Sequence, residues 1–314
     1  MAPSKVVLAS PRGYCAGVDR AVDTVERALE HFGPPVYVRR EIVHNRHVVC
    51  DLTGRGAVFV ETEEDVPHGA VLVLSAHGVA PEVLRRSADR SLRVLDATCP
   101  LVTKVHAEAR RFADGGYTIV LVGHAGHEEV IGTMGEAPDA IRLVESAADV
   151  DALDLPDPER VAYITQTTLS VDETVGIIAA IRRRYPAAIG PKRDDICYAT
   201  QNRQNAVKRL AGAVDVVLVI GSRNSSNSNR LVEVTRELGV PAYLIDDETD
   251  IDPGWLDGVE TVGITSGASA PEALVERVIA HFRDMGVARV EVQDAEPETV
   301  RFSLPVQLRR AVRS

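Results

Sequence analysis

A chain of 314 residues that is 45% hydrophobic and 26% charged has enough apolar material for a buried core and suits one large domain or two to three ordinary ones. Its net charge of −11 argues against a nucleic-acid protein, which needs a basic face, although a local pocket can still oppose the global charge and take an anionic ligand. No apolar run approaches the roughly 20 residues needed to span a bilayer, and four cysteines in this length do not make a disulfide scaffold, so the expectation is a cytoplasmic protein whose thiols serve ligation, catalysis or packing.

In chain order, the run Lys5–Ala9 reads as a buried first strand, too short for the apolar segment of a secretory leader. Val18, Ala21, Val22, Val25 and Leu29 then share one helical face, and Gly33 stands just past its end as a stop. Cys50, after His47-Val48-Val49, is expected to pack within a helix. Further short β-branched runs follow at Ala70–Leu74, Thr118–Val122, Val161–Ile164, Val214–Ile220 and Thr261–Ile264, each ending in polar or glycine residues. Between them Val102, Val105, Ala109 and Phe112 predict a helix ending at Gly115-Gly116. Val207, Leu210 and Ala211 predict another, and Leu231, Val234 and Leu238 a fourth that stops at Gly239. Strands alternating with helices imply parallel sheets in an α/β fold.

Cys15, Cys99 and Cys197 each stand just before a predicted helix, where the positive end of the dipole favours thiolate, the form a metal needs. Pro100 after Cys99 suits a first helical position. His44 lies 29 residues after Cys15, His127 lies 28 after Cys99, and Ser225 lies 28 after Cys197. Second polar clusters follow at Ser75-Ala76-His77-Gly78, Gln166-Thr167-Thr168 and Ser266-Gly267-Ala268-Ser269. The expectation is three similar α/β modules, at 1–97, 98–192 and 193–284, with a C-terminal tail at 285–314. Each module offers one cysteine and two loops at the carboxyl ends of strands, where open α/β sheets bind ligands. Scattered thiols can simply be small buried hydrophobes. Structural zinc prefers closely paired Cys ligands, whereas gaps of 84 and 98 residues separate these three. An iron–sulfur cubane normally takes four thiolates, so three would leave one iron open to substrate.

His44, His77 and His127 fall at loop ends and, when charged, can donate to an anion from both ring nitrogens; a metal site is the alternative use. The segment Gly221-Ser222-Arg223-Asn224-Ser225-Ser226-Asn227-Ser228-Asn229-Arg230 is a polar turn capping a helix expected to start near Arg230. It holds more hydroxyls and amides than one cap requires, which suits a phosphate or diphosphate. Ser269 offers a second cradle. No P-loop and no G-x-G-x-x-G after a strand occurs, which argues against a nucleotide cofactor. Glu129, in a closed pocket beside a diphosphate, would have its pKa raised and could donate a proton, with Thr167 holding a substrate hydroxyl or relaying that proton. A non-catalytic iron–sulfur protein leaves the phosphate-type loops unexplained, and a zinc hydrolase lacks H-E-x-x-H and leaves the cysteine repeat unused.

These segments resemble the 4-hydroxy-3-methylbut-2-enyl diphosphate reductase (IspH/LytB) family nearly end to end. The matching stretches include Pro11–Val18, Val43-His44-Asn45, Ser75–Val79, Asp96–His106, Gly132–Gly135, Thr165–Ser170, Asp194–Thr200, Asn224–Arg230, Ala268–Pro271 and Phe302–Arg309. The resemblance implies a trefoil-like fold of three pseudo-symmetric modules around a central [4Fe–4S] cluster. It implies Cys15, Cys99 and Cys197 as cluster ligands, with the fourth iron open to the substrate hydroxyl. It implies His44, His77, His127, Ser225, Ser226, Asn227 and Ser269 as diphosphate ligands, Glu129 as the proton source, and Thr167 as the contact to the reacting hydroxyl. Electrons would come singly from a partner such as ferredoxin or flavodoxin, and the products would be isopentenyl and dimethylallyl diphosphates, at the last step of the non-mevalonate isoprenoid pathway. Three positions depart from the family pattern: Glu128 where Pro is common, and Ser10 and Ser266 where Asn and Ala are common.

Overall fold

The computed structural model describes residues 3–294 and 298–312, so residues 295–297 and 313–314 of the expected tail, and 1–2 of the first module, lie outside the described residues. The chain divides into two compact units. Unit 1 comprises residues up to Val18, His44–Val48 and Tyr198–Arg301, and unit 2 comprises Asp19–Val43, Val49–Cys197 and the residues from Phe302 on.

The strands among the described residues are β1 (Lys5–Leu8), β2 (Val36–Arg39), β3 (Ala57–Val60), β4 (Val71–Leu74), β5 (Arg93–Asp96), β6 (Thr118–Val122), β7 (Ile141–Val144), β8 (Val161–Thr165), β9 (Val216–Ile220), β10 (Ala242–Ile245), β11 (Thr261–Ser266) and β12 (Arg289–Val292). The α-helices among the described residues are α1 (Ala16–Phe32), α2 (Arg46–Gly54), α3 (Pro81–Asp89), α4 (Pro100–Asp114), α5 (Glu128–Met134), α6 (Ala147–Ala152), α7 (Val171–Arg184), α8 (Tyr198–Ala211), α9 (Ser226–Glu237), α10 (Glu272–Asp284) and α11 (Val306–Ala311). The fold is α/β with three sheets, and every ladder between named strands is parallel.

The sheets share one topology. In unit 2 the orders are β3-β2-β4-β5 and β7-β6-β8, the latter extended by a parallel bridge from Ala162 to Ile189. In unit 1 the order is β10-β9-β11-β1-β12. Each sheet therefore runs second–first–third in chain order and then adds the segment that leads to a cysteine: β5 before Cys99, Ile189 before Cys197, β1 before Cys15. For Cys99 and Cys197 this segment joins the sheet whose strands precede it in the chain, whereas the N-terminal strand β1 joins strands that follow it, pairing with β11 near the other end of the chain.

Buried parallel strands are apolar on both faces because helices cover both. In unit 1, Val216, Leu218 and Ile220 of β9 face α10 through Leu274, Val275, Val278 and Phe282. The alternate residues Val217 and Val219 face Val207 and Leu210 of α8 and Leu231 and Val234 of α9. In unit 2, Ile119 and Leu121 of β6 meet Val105, Ala109 and Phe112 of α4, while Val120 and Val122 meet Ile177, Ala180 and Ile181 of α7.

Three local expectations need correction. Cys50 is exposed on α2 rather than packed, since Val48 and Leu52 take that helix's inner face. Leu238 is also exposed, because α9 ends at Glu237 and position 238 caps it instead of continuing the apolar stripe. The same helix begins at Ser226, not near Arg230: the Ser225 side chain accepts from the Ser228 backbone N–H, so the cap comes four residues earlier. No helix among the described residues is long and apolar enough to cross a membrane.

Candidate active site

The three cysteines occupy equivalent places. Cys15 directly precedes α1, Cys99 is the N-cap of α4, and Cys197 directly precedes α8. All three are partly buried, and none is joined in a disulfide. Each backbone N–H donates to a carbonyl in a polar strand-end loop: Cys15 to Ala268 at 3.3 Å, Cys99 to Ala76 at 3.0 Å and Cys197 to Thr167 at 3.0 Å. Those carbonyls follow β11, β4 and β8, so one joint recurs three times. Cys15 lies in unit 1, and Cys99 and Cys197 lie in unit 2. Among the described residues of either unit, no three His, Cys, Asp or Glu side chains are gathered in metal-ligating geometry. The donor set nonetheless suits an iron–sulfur cluster by its chemistry: three partly buried cysteines outside any disulfide, each at a helix start.

In unit 1 the loops after β9 and β11 hold one polar cluster. Ser225, Asn227 and Ser269 are buried, as is His44. The Ser269 hydroxyl donates to the His44 carbonyl at 2.9 Å, and the His44 ring Nδ1 lies 3.3 Å from the Asn224 amide nitrogen. An amide nitrogen can only donate, so His44 Nδ1 accepts and the proton sits on Nε2. Asn227 Oδ1 accepts from the Ala268 N–H at 2.8 Å, while its Nδ2 is buried without a partner. An orphaned amide donor in a pocket of hydroxyls fits an acceptor-rich ligand such as a phosphate. Ser226 is the first residue of α9. Ser228, also buried, donates to Ser225 Oγ at 3.0 Å and is wedged between Gly221 and Gly267. A Cβ on Gly267 would stand 2.0 Å from Ser228 Oγ, and one on Gly221 2.2 Å. Gly267→Ala is therefore expected to cost about 1–3 kcal/mol, read as a lowered denaturant midpoint with unchanged slope.

In unit 2, Glu129 lies in the first turn of α5 and is 2% exposed. Its carboxylate accepts from the Thr167 N–H at 2.7 Å and from the Thr167 hydroxyl at 3.0 Å. Burial pushes its pKa up to about 7. The two Thr167 hydrogen bonds oppose that rise, and the nearby Asp195 charge adds to it. The adjacent Glu128 instead faces His77 Nδ1 at 3.5 Å and Arg40 at 3.8 Å. Where the family commonly has Pro, this chain has a carboxylate facing Arg40 and the His77 ring, which leaves Glu129 as the carboxyl on Thr167. His77 and His127 stand edge to face with centroids 6.0 Å apart. His127 caps α5 by accepting the Glu129 N–H on Nδ1 at 3.2 Å, so its proton is also on Nε2.

Two supporting groups carried no role at the level of sequence. Asp195 accepts from the Thr165 N–H at 2.9 Å and pairs with Lys104 at 3.0 Å, anchoring the segment before Cys197 to the end of β8. Burial and the Asp195 charge raise the pKa of the neighbouring Glu108. His106, buried on α4, binds Glu136 at 2.7 Å, and Arg110 holds the other oxygen of Glu136 at 2.6 Å. Its ring fills the space beside Gly78, behind His77. The only hint was His106 on the inner face of the α4 pattern; its partner Glu136 lies beyond the end of α5, in a separate segment.

Comparison with known proteins shows the family. The family model described as LytB protein matches residues 6–283. The 4-hydroxy-3-methylbut-2-enyl diphosphate reductase of Acidothermus cellulolyticus is 60% identical over 99% of this chain and 92% of its own length. That of Mycolicibacterium paratuberculosis is 59% identical over 98% and 93%. Among solved structures, the E-1-hydroxy-2-methyl-but-2-enyl-4-diphosphate reductase from Plasmodium falciparum superposes with a TM-score of 0.94 at 36% identity, covering 99% of this chain and 98% of that one. A second, titled (E)-4-hydroxy-3-methyl-but-2-enyl diphosphate reductase, the terminal enzyme of the non-mevalonate pathway, gives 0.64 at 34% identity over 90% of this chain and 100% of that one.

Proposed function

The chain belongs to the LytB protein family, and we propose that it reduces 4-hydroxy-3-methylbut-2-enyl diphosphate to isopentenyl and dimethylallyl diphosphates in the terminal step of the non-mevalonate isoprenoid pathway. The reaction replaces a C–OH by C–H, consuming two electrons and two protons and releasing water. The observation that carries this reading is the buried Glu129 carboxyl, with a pKa near 7, joined to Thr167, whose own carbonyl holds the Cys197 amide.

Cys15, Cys99 and Cys197 would hold a [4Fe–4S] cluster. Bound there, it would supply electrons singly and one iron free of thiolate. His44 and His127 present Nε2–H to the diphosphate, joined by His77, the hydroxyls of Ser225, Ser226 and Ser269, and the unpartnered Nδ2 of Asn227. Thr167 orients the allylic hydroxyl, and protonated Glu129 gives its proton to that hydroxyl as it departs as water. The buried setting of Glu129 leaves about half of the carboxyl protonated near pH 7. The electron donor is a one-electron carrier such as ferredoxin or flavodoxin, and the enzyme works in the cytoplasm.

The test is anaerobic purification, followed by iron analysis and addition of the hydroxymethylbutenyl diphosphate with a low-potential reductant. A brown protein with about four irons per chain that forms both five-carbon diphosphates supports the proposal. A brown protein that leaves the substrate untouched makes it an electron carrier or sensor.

Two pH dependences follow. Since Glu129 must be protonated to act and titrates near 7, kcat is expected to fall about tenfold per pH unit above that value. Since Nδ1 of His44 and of His127 is already engaged as an acceptor, the diphosphate would be bound through Nε2–H, and KM is expected to stay flat with pH. A KM rising with pH would assign charged imidazolium to the diphosphate.

A further inference from the structure

Arg203 is 0% exposed, the largest fully buried side chain among the described residues. It lies on α8, six residues after Cys197 in sequence, and its guanidinium turns to the Cys15 loop of its own unit. Nε and Nη2 both donate to the Gly13 carbonyl, at 3.1 and 2.6 Å, and Nη2 also reaches the Tyr14 carbonyl at 3.3 Å. Nη1 donates to the Ala199 carbonyl at 3.0 Å. Its ion-pair partner is Glu298, at 3.2 Å from Nη1, and Glu298 also accepts from Asn202 at 2.9 Å. A buried cation is costly unless paired and fully hydrogen-bonded, and every nitrogen here is used.

Two carbonyls held by this cation immediately precede Cys15. Gly13 sits at φ +69, a left-handed conformation that glycine adopts without strain, and this turns its carbonyl to the guanidinium. The far side of the loop is held too: the Gly13 N–H donates to Ser266 Oγ at 2.9 Å, Cys15 N–H to Ala268, and Ala16 N–H to the Tyr198 hydroxyl at 3.4 Å. That hydroxyl lies within electrostatic reach of Cys15, Arg203 and Glu298 together. The cation and its counter-charge thus share one low-dielectric neighbourhood with the thiol.

We propose that Arg203 and Glu298 are positioning residues for the cluster: Arg203 fixes the Cys15 loop in its ligating form, and Glu298, from the C-terminal segment, sets how much of the buried positive charge the cluster feels. The inference rests on Cys15 as a cluster ligand, so its test has one arm that needs no cluster. In metal-free protein, Arg203→Lys keeps the charge but cannot span both carbonyls and Glu298. The Gly13, Cys15 and Ala16 amides are expected to exchange with solvent about ten- to a hundredfold faster, the loss of one to two charge-assisted hydrogen bonds. Unchanged exchange overturns the clamp. In reconstituted protein, Glu298→Gln keeps the shape and the Asn202 contact but removes the counter-charge. The midpoint potential should then shift positive, because the uncompensated cation favours the reduced cluster, while Arg203→Lys leaves it near wild type. A negative or absent shift in Glu298→Gln overturns the electrostatic role. If wild-type protein takes up no iron while the exchange result holds, the clamp stands and the cluster reading fails.

Discussion

Glu129→Gln is expected to lower kcat by about 10²–10⁴-fold while leaving substrate affinity and iron content unchanged, and at the same time to make the protein more stable at alkaline pH. The first effect follows from geometry: Gln is isosteric, keeps the Thr167 N–H bond through its amide oxygen, and has no proton to give at neutral pH. The second follows from linkage. The folded carboxyl titrates near 7 and the unfolded one near 4.5. Between those values the folded state holds a proton that the unfolded state has lost, so stability falls as pH rises through that window. The full penalty is about 3 kcal/mol above pH 7, and it does not exist below pH 4. Denaturant curves at pH 4.5 and pH 8 should therefore coincide more closely for the variant than for wild type. A variant that turns over at near-normal rate would remove Glu129 from the proton path, and Glu128→Gln is the next to try. Since Glu128 faces Arg40 and His77, its substitution is expected to change kcat by less than about tenfold.

This opposition between activity and stability explains why the acid could be picked from sequence and its surroundings could not. A carboxyl next to a strand-end histidine is visible in the chain. Whether it is buried depends on α5 packing against the end of β8, where Thr167 and Asp195 lie 38 and 66 residues further on. The strands that sequence reading found, such as β6 and β9, are buried on both faces and read as unbroken apolar runs. Those it passed over, β2 (VYVR), β7 (IRLV) and β12 (RVEV), carry charge on a half-exposed face and are only four residues long. The spacing from each cysteine to its first polar loop was legible because it is local arithmetic. The pairing of each cysteine amide with a loop of the sheet its segment joins was not, because a parallel ladder leaves no trace in sequence spacing and β1 must reach β11 across most of the chain. Arg203 illustrates the same limit. In sequence it is one more polar residue on a helix, and its role appears only once the Cys15 loop and Glu298 come to it.

Replacing Cys15, Cys99 or Cys197 by Ser is expected to abolish iron retention and reduce turnover to background, with metal-free stability within about 0.5 kcal/mol of the metal-free parent. The pairing of those two results separates ligation from packing. A cysteine serving as a small hydrophobe would be fully buried, and the hydroxyl of Ser would cost it measurable stability. These three are only partly buried, so Ser is tolerated, and the amide bonds to Ala268, Ala76 and Thr167 are backbone contacts that the substitution leaves intact. What changes is the donor: thiolate is accessible at a helix start near neutral pH and a serine alkoxide is not. Cys50→Ser supplies the internal control, since Cys50 is exposed on α2 and outside the recurring joint. Iron retained in any one of the three variants would strike that cysteine from the ligand set, and lost iron in Cys50→Ser would show that the assay reads thiol oxidation instead of ligation.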